Sequence, residues 1–155
     1  MLVRSQGEKG RRRYDMNLLK NKNTSSIFSL LAKNIEDGFS GTMVSFSQEL
    51  FNHIDAKGLK DVDVYTRAHI DRKLFSKIRK IGYLPSKKTI IALALALELN
   101  YSETIYLLNL AGYTLSLSDF IPFDIIITKA IESKMYNIDE INELLNSYEL
   151  PLLGE

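Results

Sequence analysis

The chain has 155 residues, 45% hydrophobic and 25% charged, enough to bury one core without covalent staples. The absence of cysteine excludes a disulfide framework and any thiolate-bound metal, and the longest apolar run, Ile90 to Leu97, is far too short to span a bilayer. The net charge of +1 conceals a segregation: residues 1–23 hold seven basic and two acidic side chains, residues 67–88 eight and one, and residues 116–155 two and eight.

The first stretch, Met1 to Asn23, is polar, broken by Gly7 and Gly10, and carries Arg11, Arg12 and Arg13 without helical periodicity. It is expected to be disordered in isolation, with a basic arm lying along phosphates or in a minor groove as the alternative. No unbroken apolar segment of the signal-peptide kind follows it, so a soluble, cytoplasmic protein without a membrane partner is expected. Ile27, Leu30, Leu31 and Ile35 have helical spacing and predict a short helix from Thr24 to Ile35, with a joint at Gly38 to Gly41. Residues 1–43 are thus read as a basic, partly disordered arm and short helix.

The next helix starts at Ser45, which has capping-box spacing to Gln48, and its stripe Phe46, Leu50 and Ile54 ends before Gly58. From Asp61 to Ile81 a short amphipathic segment, DVDVYTRA, meets the break HID and then RKLFSKIRK. Val64, Ala68 and Ile70 are apolar on the first piece and its exit. Phe75 and Ile78 face inward on the second, leaving Arg72, Lys73, Ser76, Lys77 and Arg79 outside. Asp71 is placed to cap that second helix by accepting from the amide of Lys73 or Leu74. A helix that is greasy inside and cationic outside suits a major groove, although a solvated basic face on an ordinary bundle fits the same pattern.

The run Ile90 to Leu99 alternates Ala92, Ala94 and Ala96 with Leu93, Leu95 and Leu97, so a strand competes with a buried helix; the helix-forming character of Ala, Leu and Glu favours the helix. Ser102 is expected to cap the next helix, with Ile105, Leu107 and Leu108 inward and Gly112 ending it. Beyond Tyr113, Pro122 opens FDIIITKAIESK, and Asn137 or Asp139 caps INELLNSYE. The apolar faces Ile126, Ile127, Ala130, Ile131 and Ile138, Ile141, Leu144, Leu145 make a hairpin that either folds back on the core or forms a dimer.

The order of Pro85-Ser86, the run Ile90 to Leu99, the turn Asn100-Tyr101 and then Ser102-Glu103, together with the gap from Ile70 to Pro85, resembles the Cro/repressor-like (XRE-type) helix-turn-helix family over about residues 44–110. The resemblance implies an all-α fold: a five-helix repressor-like core at 44–115, preceded by the N-terminal extension helix and followed by a C-terminal helical hairpin at 116–155. Two positions depart from the family pattern. Tyr65 stands where a small Ala is usual and should splay the two helices unless a neighbour has shrunk, and His69 stands where the turn usually has Gly with positive φ, a region His tolerates better than most residues. The segments LNLAGYTLS and ELPLLG resemble a helical C-terminal module found with bacterial helix-turn-helix proteins, which suggests one unit from Val44 to Gly154; no enzyme activity transfers from that likeness.

Carried over from the resemblance, Arg72, Lys73 and Lys77, with Ser76 beside them, are the base-contacting positions. Arg79, Lys80, Lys87 and Lys88 flank the helix and are better placed for phosphate. An enzyme is not expected: there is no phosphate-cradling Gly loop and no metal-spaced His/Cys set. Only His53 and His69 could act as a base near neutral pH, and Glu140 with Glu143 is an ordinary surface pair. The expectation is a bacterial or phage repressor that binds double-stranded DNA without a cofactor, as a homodimer whose two reading helices reach major grooves about 34 Å apart. The alternative is a protein-interaction adaptor or inhibitor, of antitoxin, defence or phage-related kind, that uses the same scaffold and meets a protein partner through the C-terminal hairpin.

Overall fold

The computed structural model describes residues 44–118 and 120–154. The expected basic arm, the helix from Thr24 to Ile35 and the joint at Gly38 to Gly41 lie outside the described residues. Among the described residues there are seven helices and no strand: α1 (Phe46–Ala56), α2 (Asp61–Arg67), α3 (Arg72–Ile78), α4 (Lys87–Ala96), α5 (Tyr101–Leu110), α6 (Pro122–Glu132) and α7 (Ile138–Ser147). None is long and apolar enough to cross a membrane.

The alternating Ala/Leu segment is helical and is the centre of the fold. Every residue from Ile90 to Leu97 is buried, and Leu99 with them, so α4 has no solvent-facing stripe after its first turn. Helix α4 packs against α2, α5 and α7, while α5 also meets α1 and α6. The C-terminal hairpin folds back onto this core: Ile127, Ala130, Ile131, Ile138, Ile141 and Leu145 are buried in the same cluster as Leu50, Val64, Phe75 and Ile78. Each of these Ile and Leu side chains contributes about 1.5–3 kcal/mol by leaving water, so α6 and α7 are strongly tied to α4 and α5. The edges of the expected apolar faces lie further out, Ile105 and Ile126 half-buried and Leu144 exposed.

Local signals fix the helix ends. Ser45 and Gln48 form the expected capping box, and Ser86 caps α4 through the amide of Thr89. For α5 the cap is Asn100, reciprocated by Glu103, and not Ser102. Two acceptable caps stood two residues apart, and only Asn100 has an acid at the third helical position to close the box. Asn137, rather than Asp139, caps α7 by accepting from the amides of Asp139 and Glu140.

At the C-terminal ends, six of the seven helices finish in a left-handed residue flanked by paired backbone bonds, as at α2, where the amide of His69 donates to Thr66 and that of Ile70 to Tyr65. Glycine fills the left-handed position only after α1 and α5; His69, Glu98, Lys134 and Glu149 fill it after α2, α4, α6 and α7. Downstream, the side chain of Asn142 clasps the backbone of Leu153, accepting from its amide at 2.8 Å and donating to its carbonyl at 3.0 Å. Leu153 is thereby buried, and Gly154, at φ +84°, lies against the α2–α3 turn so closely that a Cβ would sit 2.7 Å from the His69 Cβ.

Two opposite substitutions follow. Glu98→Gly, at an exposed left-handed position, should stabilise the protein by about 1 kcal/mol. Gly154→Ala should destabilise it by a similar or larger amount, because a positive φ and a clash with His69 coincide. Thermal unfolding of both variants beside the parent checks the signs.

Candidate nucleic-acid interface

Helix α3 is short, and its orientation comes from its inner face: Phe75 and Ile78 are buried, while Arg72, Lys73, Ser76 and Lys77 are exposed. Positions 72, 73, 76 and 77 repeat at helical spacing and share one side of α3. With Lys80, just past the helix, they line a single shallow concavity. The structure therefore brings together all four residues expected at bases and one of those expected at phosphate.

Two details alter what this face can do. Ser76 Oγ donates to the Arg72 carbonyl at 2.9 Å, so its proton is committed and its oxygen is left to accept. Asp71, the acid at the entrance, accepts from the amide of Leu74 at 2.6 Å, so its charge is held at the first turn of α3.

The aromatic packing beneath α3 accounts for Tyr65. Its ring tilts against Phe75, with centroids 5.6 Å apart, and Phe75 in turn meets Phe51 of α1 edge-on at 5.7 Å. Tyr65 is half-buried at the rim of the α2–α3 contact, so a large residue is accommodated there by covering Phe75. His69 takes the left-handed turn conformation at φ +54°, as expected for the position.

The four flanking cations divide into two pairs. Lys80 and Lys88 are exposed and have no ion-pair partner among the described residues. Arg79 instead pairs with Asp61 at the start of α2 and stacks over the Phe51 ring at 4.3 Å. Lys87 Nζ donates to both oxygens of Asp124 at 2.7 and 2.8 Å. Asp124 is 1% exposed and also accepts from the amide of Ser116 at 2.7 Å. The phosphate role expected of Lys87 is thus replaced by a structural one: it neutralises a buried carboxylate and fastens α4 to α6.

Sequence reasoning missed both pairs, yet signals for one were present. Lys87 at the first position of α4 is unfavourable to the helix dipole, and Asp124 is a lone acid in the otherwise apolar start of α6. No group of three or more His, Cys, Asp or Glu among the described residues is arranged to hold a metal.

Lys87→Met should cost about 3–5 kcal/mol, because it strands a buried carboxylate, whereas Lys88→Met should leave stability within about 0.5 kcal/mol; denaturant melts of the two variants give the comparison. Comparison with family models, with curated proteins and with solved structures gives no match, so the roles of these residues rest on their chemistry and placement.

Proposed function

We propose that this chain is a sequence-specific double-stranded DNA-binding protein of the repressor type, in which α2 and α3 act as a helix-turn-helix and α3 is the reading helix. The observation that carries the reading is the outward face of α3, where Arg72, Lys73 and Lys77 stand exposed with no carboxylate partner among the described residues. Lys73 and Lys77, four residues apart on one helix face, repel by about 0.2–0.5 kcal/mol, a cost that a polyanion relieves.

In this reading Arg72 and Lys73 donate to guanine O6 and N7, and Lys77 reaches a base edge one turn further on. Ser76, its proton committed to Arg72, accepts from the amino group of adenine or cytosine. Lys80 and Lys88 hold backbone phosphate. Occupancy of a palindromic operator requires two copies, one for each successive major groove. The buried hairpin face is already used within one copy, so pairing would use another surface.

A second reading, a protein-interaction adaptor or inhibitor on the same scaffold, is favoured by the α5–α6 connection, where Leu117 is 70% and Phe120 94% exposed. Charge reversal separates the two: Lys73→Glu with Lys77→Glu abolishes duplex binding in the first reading and is tolerated in the second.

Selection from a random duplex library, followed by affinity measurements against salt, tests the first reading. A palindromic motif and a log–log salt slope of several units are expected. Arg72→Ala and Lys77→Ala should each relax preference at one base by about 1–3 kcal/mol, and Lys80→Ala or Lys88→Ala should weaken all sequences evenly and lower the slope by about 0.9. Unchanged base preference in the first two variants would overturn the assignment.

A further inference from the structure

The concavity between the start of α2 and the polar side of α3 holds one carboxylate, Asp61, among Lys60, Arg72 and Arg79, with the hydroxyl-bearing Ser76 and Tyr65 on its walls. Resting on the DNA-binding reading, we propose that Asp61 occupies the seat of a backbone phosphate and that a phosphodiester takes its place on Arg79 when duplex binds.

Three observations support the exchange. First, the donor is prepared: the Arg79 guanidinium is held over the Phe51 ring, which positions its N–H groups for an anion. Second, the resident pair is weak enough to yield, since the side chains of Asp61 and Arg79 are 40% and 51% exposed. An ion pair so exposed contributes at most about fivefold to an equilibrium, whereas a guanidinium–phosphate contact can be bidentate. Third, the concavity carries three cations for one acid, so a second anion is favoured there even before Asp61 leaves.

The exchange has an ionic signature. A phosphate bound by a free arginine releases a condensed cation, which steepens the salt dependence by about 0.9. When the arginine is taken from Asp61, the freed carboxylate stays beside the phosphate and offsets part of its neutralisation, so the contact adds less to the slope. Asp61 thereby lowers affinity for every duplex alike, and the ratio between sequences, set by the base contacts of α3, stays the same.

The test uses the full chain and a short fluorescein-labelled duplex of mixed sequence, titrated between about 50 and 200 mM salt. Asp61→Asn should bind up to about fivefold tighter at the low end, with a slope steeper by up to about 0.9. Arg79→Met, which keeps an apolar side chain against Phe51, should return both values to the parent's when combined with Asp61→Asn. A gain that persists in the double variant would mean simple removal of a negative charge and overturns the proposal, as does an unchanged slope in Asp61→Asn. Asp61→Ser is the companion variant, and thermal melts establish that each comparison is between folded proteins. If the parent binds duplex and Asp61→Asn is indistinguishable from it, the phosphate seat alone fails; if neither the parent nor the variant binds at low salt, the DNA-binding reading fails with it.

Discussion

A helix that is apolar on every side is stable in water only when other elements cover it from every direction, and α4 imposes that constraint on everything around it. From Ile90 to Leu97 it offers no stripe that tolerates solvent. Helices α2, α5 and α7 pack on it directly, and α1 and α6 reach the same core through α5. The C-terminal hairpin is therefore part of the shell that makes α4 possible, since Ile127, Ile138, Ile141 and Leu145 share the core with residues of the first three helices. The Lys87–Asp124 pair sits where α4 enters that shell. It joins the first turn of α4 to the first turn of α6 through a buried carboxylate.

The same constraint shapes the outer surface. Because α3 is short and anchors only Phe75 and Ile78, its remaining side chains have nowhere to go but outward, and they are cationic. Two carboxylates near this face are occupied locally, Asp71 by the amide of Leu74 and Asp61 by the guanidinium of Arg79. Acid is therefore present beside the basic face without neutralising Arg72, Lys73 or Lys77. Such an arrangement keeps a local positive field on a molecule whose net charge is close to zero.

The all-α character, the helix at 46–56, the inward Phe75 and Ile78 and the Asp71 cap were legible because each rests on local periodicity or capping chemistry, and the turn at His69 because the family resemblance marked that position. What could not be read depends on pairing across long separations. Lys87 and Asp124 are 37 residues apart, and nothing near either names the other. Arg79 looked like one more surface cation until Asp61 and Phe51 closed on it. The α5 cap was misplaced by two residues because Asn100 and Ser102 are both good caps, and the reciprocal bond from Glu103 decides between them. The hairpin's fate was likewise open, since its apolar faces satisfy a dimer as well as a core. Only the demand of α4 for cover settles that they turn inward.

One compensation links these levels. At the α2–α3 turn the left-handed position holds His69 instead of glycine, a choice that costs about 1 kcal/mol in backbone strain and adds a Cβ to the turn's surface. A glycine is present at that place after all, but it is Gly154, contributed by the far end of the described chain and seated against His69. Its neighbour Leu153 is buried and clasped by Asn142, so the approach is fixed from α7 and is not a chance contact. The close packing at the turn is thus shared between two distant segments. The residue bearing a side chain is local to the turn, and the residue lacking one arrives from 85 positions away. The direction in which α3 leaves α2 is therefore buttressed by the C-terminal segment, which explains in physical terms why the α2–α3 pair and the hairpin belong to one structural unit.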